Sequence, residues 1–137
     1  KGISALHSVG KLNALPLSQG GYKPVAYVDA MADAYLAADL IIARSGAVTC
    51  SEFRALGRYA LFVPLPIGNG EQYVNAASLV ADGRAEIITQ KEFTPNFIEA
   101  QLDRLLKAAA HAPIDGDDQD LDAAQKIVAL TEFALKS

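Results

Sequence analysis

A chain of 137 residues with 51% hydrophobic and 20% charged side chains is long enough for one core of ordinary size and too short for two. Its net charge of −4 comes without any run of Lys or Arg, which argues against nucleic acid as a partner. The single cysteine, Cys50, excludes a disulfide framework, and no apolar run approaches the roughly 20 residues that span a bilayer.

Residues 3–8 read as a short strand, in which His7 is expected to be a satisfied structural histidine. Residues 9–23 follow as a loop or broken helix, punctuated by Pro16, Gly20 and Gly21. A second strand covers 24–28, and Asp29 caps a short Ala-rich helix that runs to Ala37. Residues 39–43 form a third strand, continuously apolar in the manner of strands inside parallel sheets. A helix from about Thr49 to Leu56 is ended by Gly57. Residues 59–63 make another buried strand closed by Pro64 and Pro66, and a Gly-Asn-Gly loop at 68–70 leads into a helix over 71–81. A last strand spans 85–89. Thr94 and Pro95 then provide an N-cap and first-turn proline for a helix whose apolar face is Ile98, Leu102, Leu105 and Leu106. Residues 111–119 read as an acidic, solvated hinge, and 117–137 as a terminal helix at the end of a single, partial domain.

Strands alternating with helices define an α/β fold, a Rossmann-like parallel sheet flanked by helices with right-handed crossovers. Ligands in such sheets bind at the carboxyl ends of the strands, where the Ser45-Gly46 turn and the 68–71 loop both fall. Neither G-x-G-x-x-G nor G-x-x-x-x-G-K-[ST] occurs, so a dinucleotide fingerprint and a Walker A loop are excluded. The Ser45-Gly46 turn instead offers the bare amides and positive dipole end of the next helix to an anion such as a phosphate. A second reading stands beside it: Thr49 and Glu52 have the spacing of a capping box, which would account for both residues structurally. Cys50 reads as a packed thiol or a mildly activated one, but without a partner cysteine a redox domain is disfavoured.

Three ordered segments, 27–32, 38–52 and 64–76, resemble the carboxyl-terminal domain of the MurG family of bacterial N-acetylglucosaminyltransferases. The Gly-Asn-Gly-Glu-Gln run at 68–72 is similar to the actinobacterial form, and the likeness extends in order from His7 to about Thr89. The resemblance implies part of the carboxyl-terminal, donor-binding half of a two-domain GT-B glycosyltransferase. In such an enzyme this half holds UDP-N-acetylglucosamine and the amino-terminal half holds the lipid I acceptor. The family's first strand, Gly-rich loop and helix of this domain have no counterpart here, so the resemblance implies an incomplete donor site and no catalytic residue. The chain alone is then expected to be inactive, and a stand-alone nucleotide- or phosphate-binding module is the alternative.

The resemblance also assigns roles. The backbone at Val28 bonds the uracil, Met31 lies where a residue covers the base, and Glu52 takes the ribose hydroxyls. Ala47, Val48 and Thr49 present amides to the diphosphate, with Cys50 and Ser51 counted in the same binding segment. Gln72 and Asn75 match positions near the sugar hydroxyls, whereas Glu71 departs from the Gln common in the family and has a less defined role. Arg44, Ser45 and Gly46 form a second rank, Arg44 either neutralising the diphosphate or pairing with a helix acid. No metal or cofactor is expected. The resemblance places the whole enzyme at the cytoplasmic side of the cell membrane, attached peripherally. That fits the absence of a signal-type segment at the start of this chain.

Overall fold

A computed structural model describes residues 2–116. They contain five strands and four helices in the order β1 (Ala5–Ser8), β2 (Tyr22–Val25), α1 (Met31–Ala37), β3 (Ile41–Ala43), α2 (Ala47–Leu56), β4 (Ala60–Phe62), α3 (Glu71–Ala81), β5 (Ala85–Ile87) and α4 (Pro95–His111). The expected terminal helix over 117–137 lies outside the described residues. The strands form two parallel sheets, β1-β2 and β3-β4-β5. The chain divides into two compact units at residues 34 and 35, within α1.

In the first unit, β1 and β2 pair in the register Ala5↔Tyr22 to Ser8↔Val25. The second strand was expected over 24–28 and instead ends at Val25. Its partner sets that limit: Gly10 N–H bonds Ala26 O at 3.1 Å, and Gly10 then turns away with φ 95°, leaving nothing to pair with Val28. His7 accepts or donates through Nδ1 to the Tyr22 hydroxyl at 2.7 Å, a satisfied histidine as its strand context suggested. Helix α1 begins at Met31, so Ala30 occupies the position before it and Asp29 stands one residue too early to be its N-cap.

The second unit is a helix-covered sheet. Central strand β4 is buried on both sides, as a continuous apolar run should be in a parallel sheet. Ala60 and Phe62 face a core with Ile41, Cys50, Phe53, Ala76, Leu79 and Ala85, while Leu61 and Val63 face Ile88 and Leu105. Helices α2 and α3 thus cover one face and α4 the other. Phe53 is the hub of the first core, packing on Tyr35 at 4.9 Å and edge-on to Phe62 at 5.5 Å between ring centroids. Loss of either phenylalanine ring would cost about 3–5 kcal/mol.

Local rules account for most boundaries. Thr94 Oγ1 accepts from Phe97 N–H at 3.2 Å with Pro95 at the first helical position of α4. Gly57 ends α2 in the left-handed conformation, its amide returning to Arg54 O. Residues 113–116, expected as a solvated hinge, are exposed, yet their backbone runs close along the end of α2: a Cβ on Gly57 would lie 2.1 Å from Ile114 O.

The start of α2 departs from expectation. It begins at Ala47, two residues before Thr49, with Gly46 as N-cap and no side-chain cap bond. Thr49 is therefore the third helical residue and Glu52 stands in the second turn, where neither can form a capping box. The first cause lies far away in sequence. Asn75 Nδ2 donates to Ser45 O at 3.1 Å and fixes the turn, and Gly46 adopts φ −64°, ψ 154°, so the chain enters the helix directly from β3.

Candidate functional site

Three segments meet at the carboxyl ends of β3 and β4: the Arg44–Gly46 turn, the first turn of α2, and the loop that leads into α3. Cys50 N–H makes the first intrahelical bond of α2, to Gly46 O at 2.9 Å. The amides of Ala47, Val48 and Thr49 consequently have no acceptor among the described residues, and Ala47 and Val48 are exposed. Beside them Ser45 is fully buried, and its Oγ has no hydrogen-bond partner among the described residues. The arrangement is a group of outward amides at the positive end of a ten-residue helix, with no side chain occupying them.

The side chains around this turn fall into those that face outward and those that hold the loops. Glu52 is half-buried one turn into α2; burial, and then the nearby Glu52 carboxylate, push the Tyr35 phenol up from its ordinary value. Arg44 forms no ion pair with a helix acid among the described residues. Its guanidinium donates to Val63 O at 2.7 Å, Pro64 O at 3.3 Å and Gln90 Oε1 at 2.9 Å. Gln72 Oε1 accepts from Leu65 N–H at 3.0 Å. With its oxygen turned to that amide, Gln72 presents Nε2 elsewhere as a donor; Asn75, whose nitrogen serves Ser45 O, presents Oδ1 as an acceptor. Glu71, exposed in the first turn of α3, complements the dipole of its own helix.

Cys50 is corrected as a ligand-facing residue. It is 3% exposed, its amide bonds Gly46 O, and burial pushes its thiol above the ordinary value. Nothing of it faces outward, and the packed thiol is the form present. Ser51 lies half-buried in α2, and its hydroxyl makes no hydrogen bond among the described residues. Val28 and Met31 belong to the first unit, where Val28 has neither its N–H nor its C=O in a hydrogen bond among the described residues. Two participants carried no signal in the sequence: Tyr35, whose phenol the Glu52 carboxylate perturbs, and Gln90, which stands 46 residues from Arg44. Among the described residues no three His, Cys, Asp or Glu side chains converge as metal ligands. No described helix is long and apolar enough to cross a membrane.

Parallel strands, helices on both faces of the β3-β4-β5 sheet and a free helix N-terminus at the strand ends define an α/β, Rossmann-like class of domain with an anion-binding turn. Residues 3–129 match the glycosyltransferase family 28 C-terminal domain, and the chain belongs to that family. Its relatives are more particular. A protein of Corynebacterium glutamicum (strain R) is 48% identical over 111 residues, covering 80% of this chain and 31% of the relative. One from Paenarthrobacter aurescens is 46% identical over 111 residues, covering 77% of this chain and 30% of the relative. Both are named UDP-N-acetylglucosamine--N-acetylmuramyl-(pentapeptide) pyrophosphoryl-undecaprenol N-acetylglucosamine transferase. The crystal structure of Acinetobacter baumannii MurG is similar with a TM-score of 0.56 and 35% identity, over 77% of this chain and 35% of that one. The chain thus spans about a third of the length of the curated relatives it matches.

Proposed function

We propose that this chain forms the donor-binding part of an inverting glycosyltransferase that moves N-acetylglucosamine from UDP-N-acetylglucosamine to lipid I, giving lipid II for peptidoglycan. The observation that carries the reading is the uncapped first turn of α2, whose Ala47, Val48 and Thr49 amides are free for a diphosphate. Glu52 accepts the two ribose hydroxyls; with the capping box gone, that carboxylate has no cap role to explain it. The free backbone at Val28 serves the uracil and Met31 its covering, and Gln72 and Asn75 offer the sugar a donor and an acceptor. The lipid acceptor and the base that takes the proton from its hydroxyl are held by other parts of such an enzyme. An undecaprenyl-linked acceptor places the reaction at the cytoplasmic face of the membrane, with peripheral attachment.

Titration of the chain and of Glu52→Ala with UDP-N-acetylglucosamine tests the reading. Loss of two hydrogen bonds to a charged acceptor should cost about 3 kcal/mol or more, at least ~100-fold in affinity. Stability should change by less than about 1 kcal/mol, since no helix cap is lost. Unchanged affinity in Glu52→Ala refutes the ribose role. The chain alone should not turn over a lipid I analogue.

A further inference from the structure

The loop between β4 and α3 is held by side chains rather than by its own backbone. Pro64 and Pro66 have no N–H, and residues 64–69 make no backbone–backbone hydrogen bond among the described residues. Residues 66–69 are exposed, and Gly68 and Gly70 take φ of 77° and 76° with open space where a Cβ would stand. A segment so built has little of its own to fix its conformation.

One peptide unit at its base is nevertheless gripped from both sides. The carbonyl of Pro64 accepts from Arg44 at 3.3 Å, and the N–H of the same peptide, on Leu65, donates to Gln72 Oε1 at 3.0 Å. A trans peptide is planar with its oxygen and hydrogen on opposite edges, so rotation about the chain that loosens one bond loosens the other. The guanidinium is itself pinned by Val63 O at 2.7 Å and by Gln90 Oε1 at 2.9 Å. Gln90 stands in a turn closed by Thr89 and Glu92, whose side chains bond each other and each other's amides. Arg44 therefore carries the sheet's cross-linking one step past the last ladder bond, Val63 N–H to Ala43 O.

We propose that Arg44 is a positioning residue for the donor site: it fixes the peptide joining Pro64 and Leu65, and that peptide holds Gln72 with its Nε2 turned outward. The inference rests on the reading that Gln72 meets the sugar of a nucleotide-sugar. Both terminal nitrogens of Arg44 are engaged by loop groups, so its work is done on the loop and not on the phosphates. Lysine cannot replace it, because one ammonium has no planar fork to span two carbonyls and a carboxamide.

The test is a double-mutant cycle with UDP-N-acetylglucosamine on the chain, Arg44→Lys, Gln72→Ala and the double variant, together with hydrogen exchange of the Leu65 amide by NMR. Arg44→Lys should weaken binding roughly 10-fold alone and less than about 2-fold in the Gln72→Ala background, since residues acting through one another are not additive. The Leu65 amide should exchange roughly 10-fold faster in Arg44→Lys. Additive losses, or unchanged Leu65 exchange, overturn the proposal. If the unaltered chain binds no UDP-N-acetylglucosamine, the donor reading fails, and Leu65 exchange still decides whether Arg44 holds the loop. Should Arg44→Lys not fold, Gln90→Ala removes an acceptor at an exposed position; a rise of about 2- to 3-fold in Leu65 exchange is then expected, and no rise counts against the proposal.

Discussion

Replacing Gly46 by aspartate should make the chain more stable and its donor site worse. Gly46 is the N-cap of α2 at φ −64°, ψ 154°, a conformation open to any residue, and a Cβ there would meet only Thr49 Oγ1 at 4.0 Å. The glycine is thus not required by the backbone. Aspartate at this position accepts from the first-turn amides, worth a few tenths of a kcal/mol over glycine. Its charge at the helix N-terminus adds about 0.3–1 kcal/mol. A total near 1 kcal/mol raises the melting temperature by roughly 2–6 °C in a domain of this size.

The same carboxylate would occupy the amides of Val48 and Thr49 and stand within a few ångströms of any diphosphate on them. At an effective dielectric constant near 20, two unit charges about 4 Å apart repel by about 4 kcal/mol, so donor affinity should fall by more than ~100-fold. Thermal melts paired with calorimetric titration of UDP-N-acetylglucosamine read both effects. Gly46→Ser supplies a cap without a charge and should show a smaller gain and a smaller loss. If Gly46→Asp melts higher yet keeps its affinity within about threefold, the diphosphate does not sit on α2 and the reading of the site is wrong.

Four further residues give testable outcomes. Arg104, bonded through both terminal guanidinium nitrogens to Glu86, holds that carboxyl below the usual range, with burial opposing the effect and the Tyr59 hydroxyl adding to it. A depressed carboxyl contributes stability above its unfolded value of about 4.3 and loses it as pH falls, so Glu86→Gln should flatten the drop in melting temperature between about pH 5 and 3. Tyr59 is shifted the other way, raised first by burial and then by its bond to Glu86. Its contribution is complete below about pH 10 and is lost above, and Tyr59→Phe should flatten the alkaline limb. The Cys50 thiol should resist thiol reagents in the folded chain, and Cys50→Ser should cost about 1–3 kcal/mol by burying a hydroxyl in an apolar core while leaving donor affinity unchanged. Gly57→Ala combines a left-handed φ of 59° with a contact of 2.1 Å to Ile114 O and should lose roughly 2 kcal/mol or more in denaturant unfolding; a loss well under 1 kcal/mol would mean that residues 113–116 move aside freely.

Much of the second unit could be read from the chain because its signals are local or periodic. The 59–63 run is apolar without alternation, and β4 is the strand buried on both faces; Thr94-Pro95 announces the start of α4 and is its cap. The start of α2 could not be read this way. Locally, Thr49 and Glu52 satisfy the capping rule better than glycine does, but the turn is set by Asn75 reaching back 30 residues to Ser45 O. Arg44 misled for the same reason: a cation beside a phosphate loop invites an anion, and its carbonyl partners on β4 became neighbours only when the sheet formed. The end of β2 likewise follows from which edges find partners, as at Val28, where β1 had already turned away.

The two carboxamides of α3 show why a motif alone could not divide binding from architecture. Gln72 and Asn75 lie three residues apart, on neighbouring positions of one helix, and each is tied to a loop by one end only. The engaged end dictates what the other offers: a nitrogen donor at Gln72 and an oxygen acceptor at Asn75. A phosphate takes donors alone and would be repelled by the Asn75 oxygen and by Glu71 in the same turn, whereas a hydroxyl both donates and accepts. The α3 side therefore suits the neutral, hydroxyl-bearing end of a ligand, and the bare amides of α2 suit the anionic middle. A nucleotide-sugar carries those two chemistries in that order, and the bond from Asn75 to Ser45 fixes the two surfaces against each other.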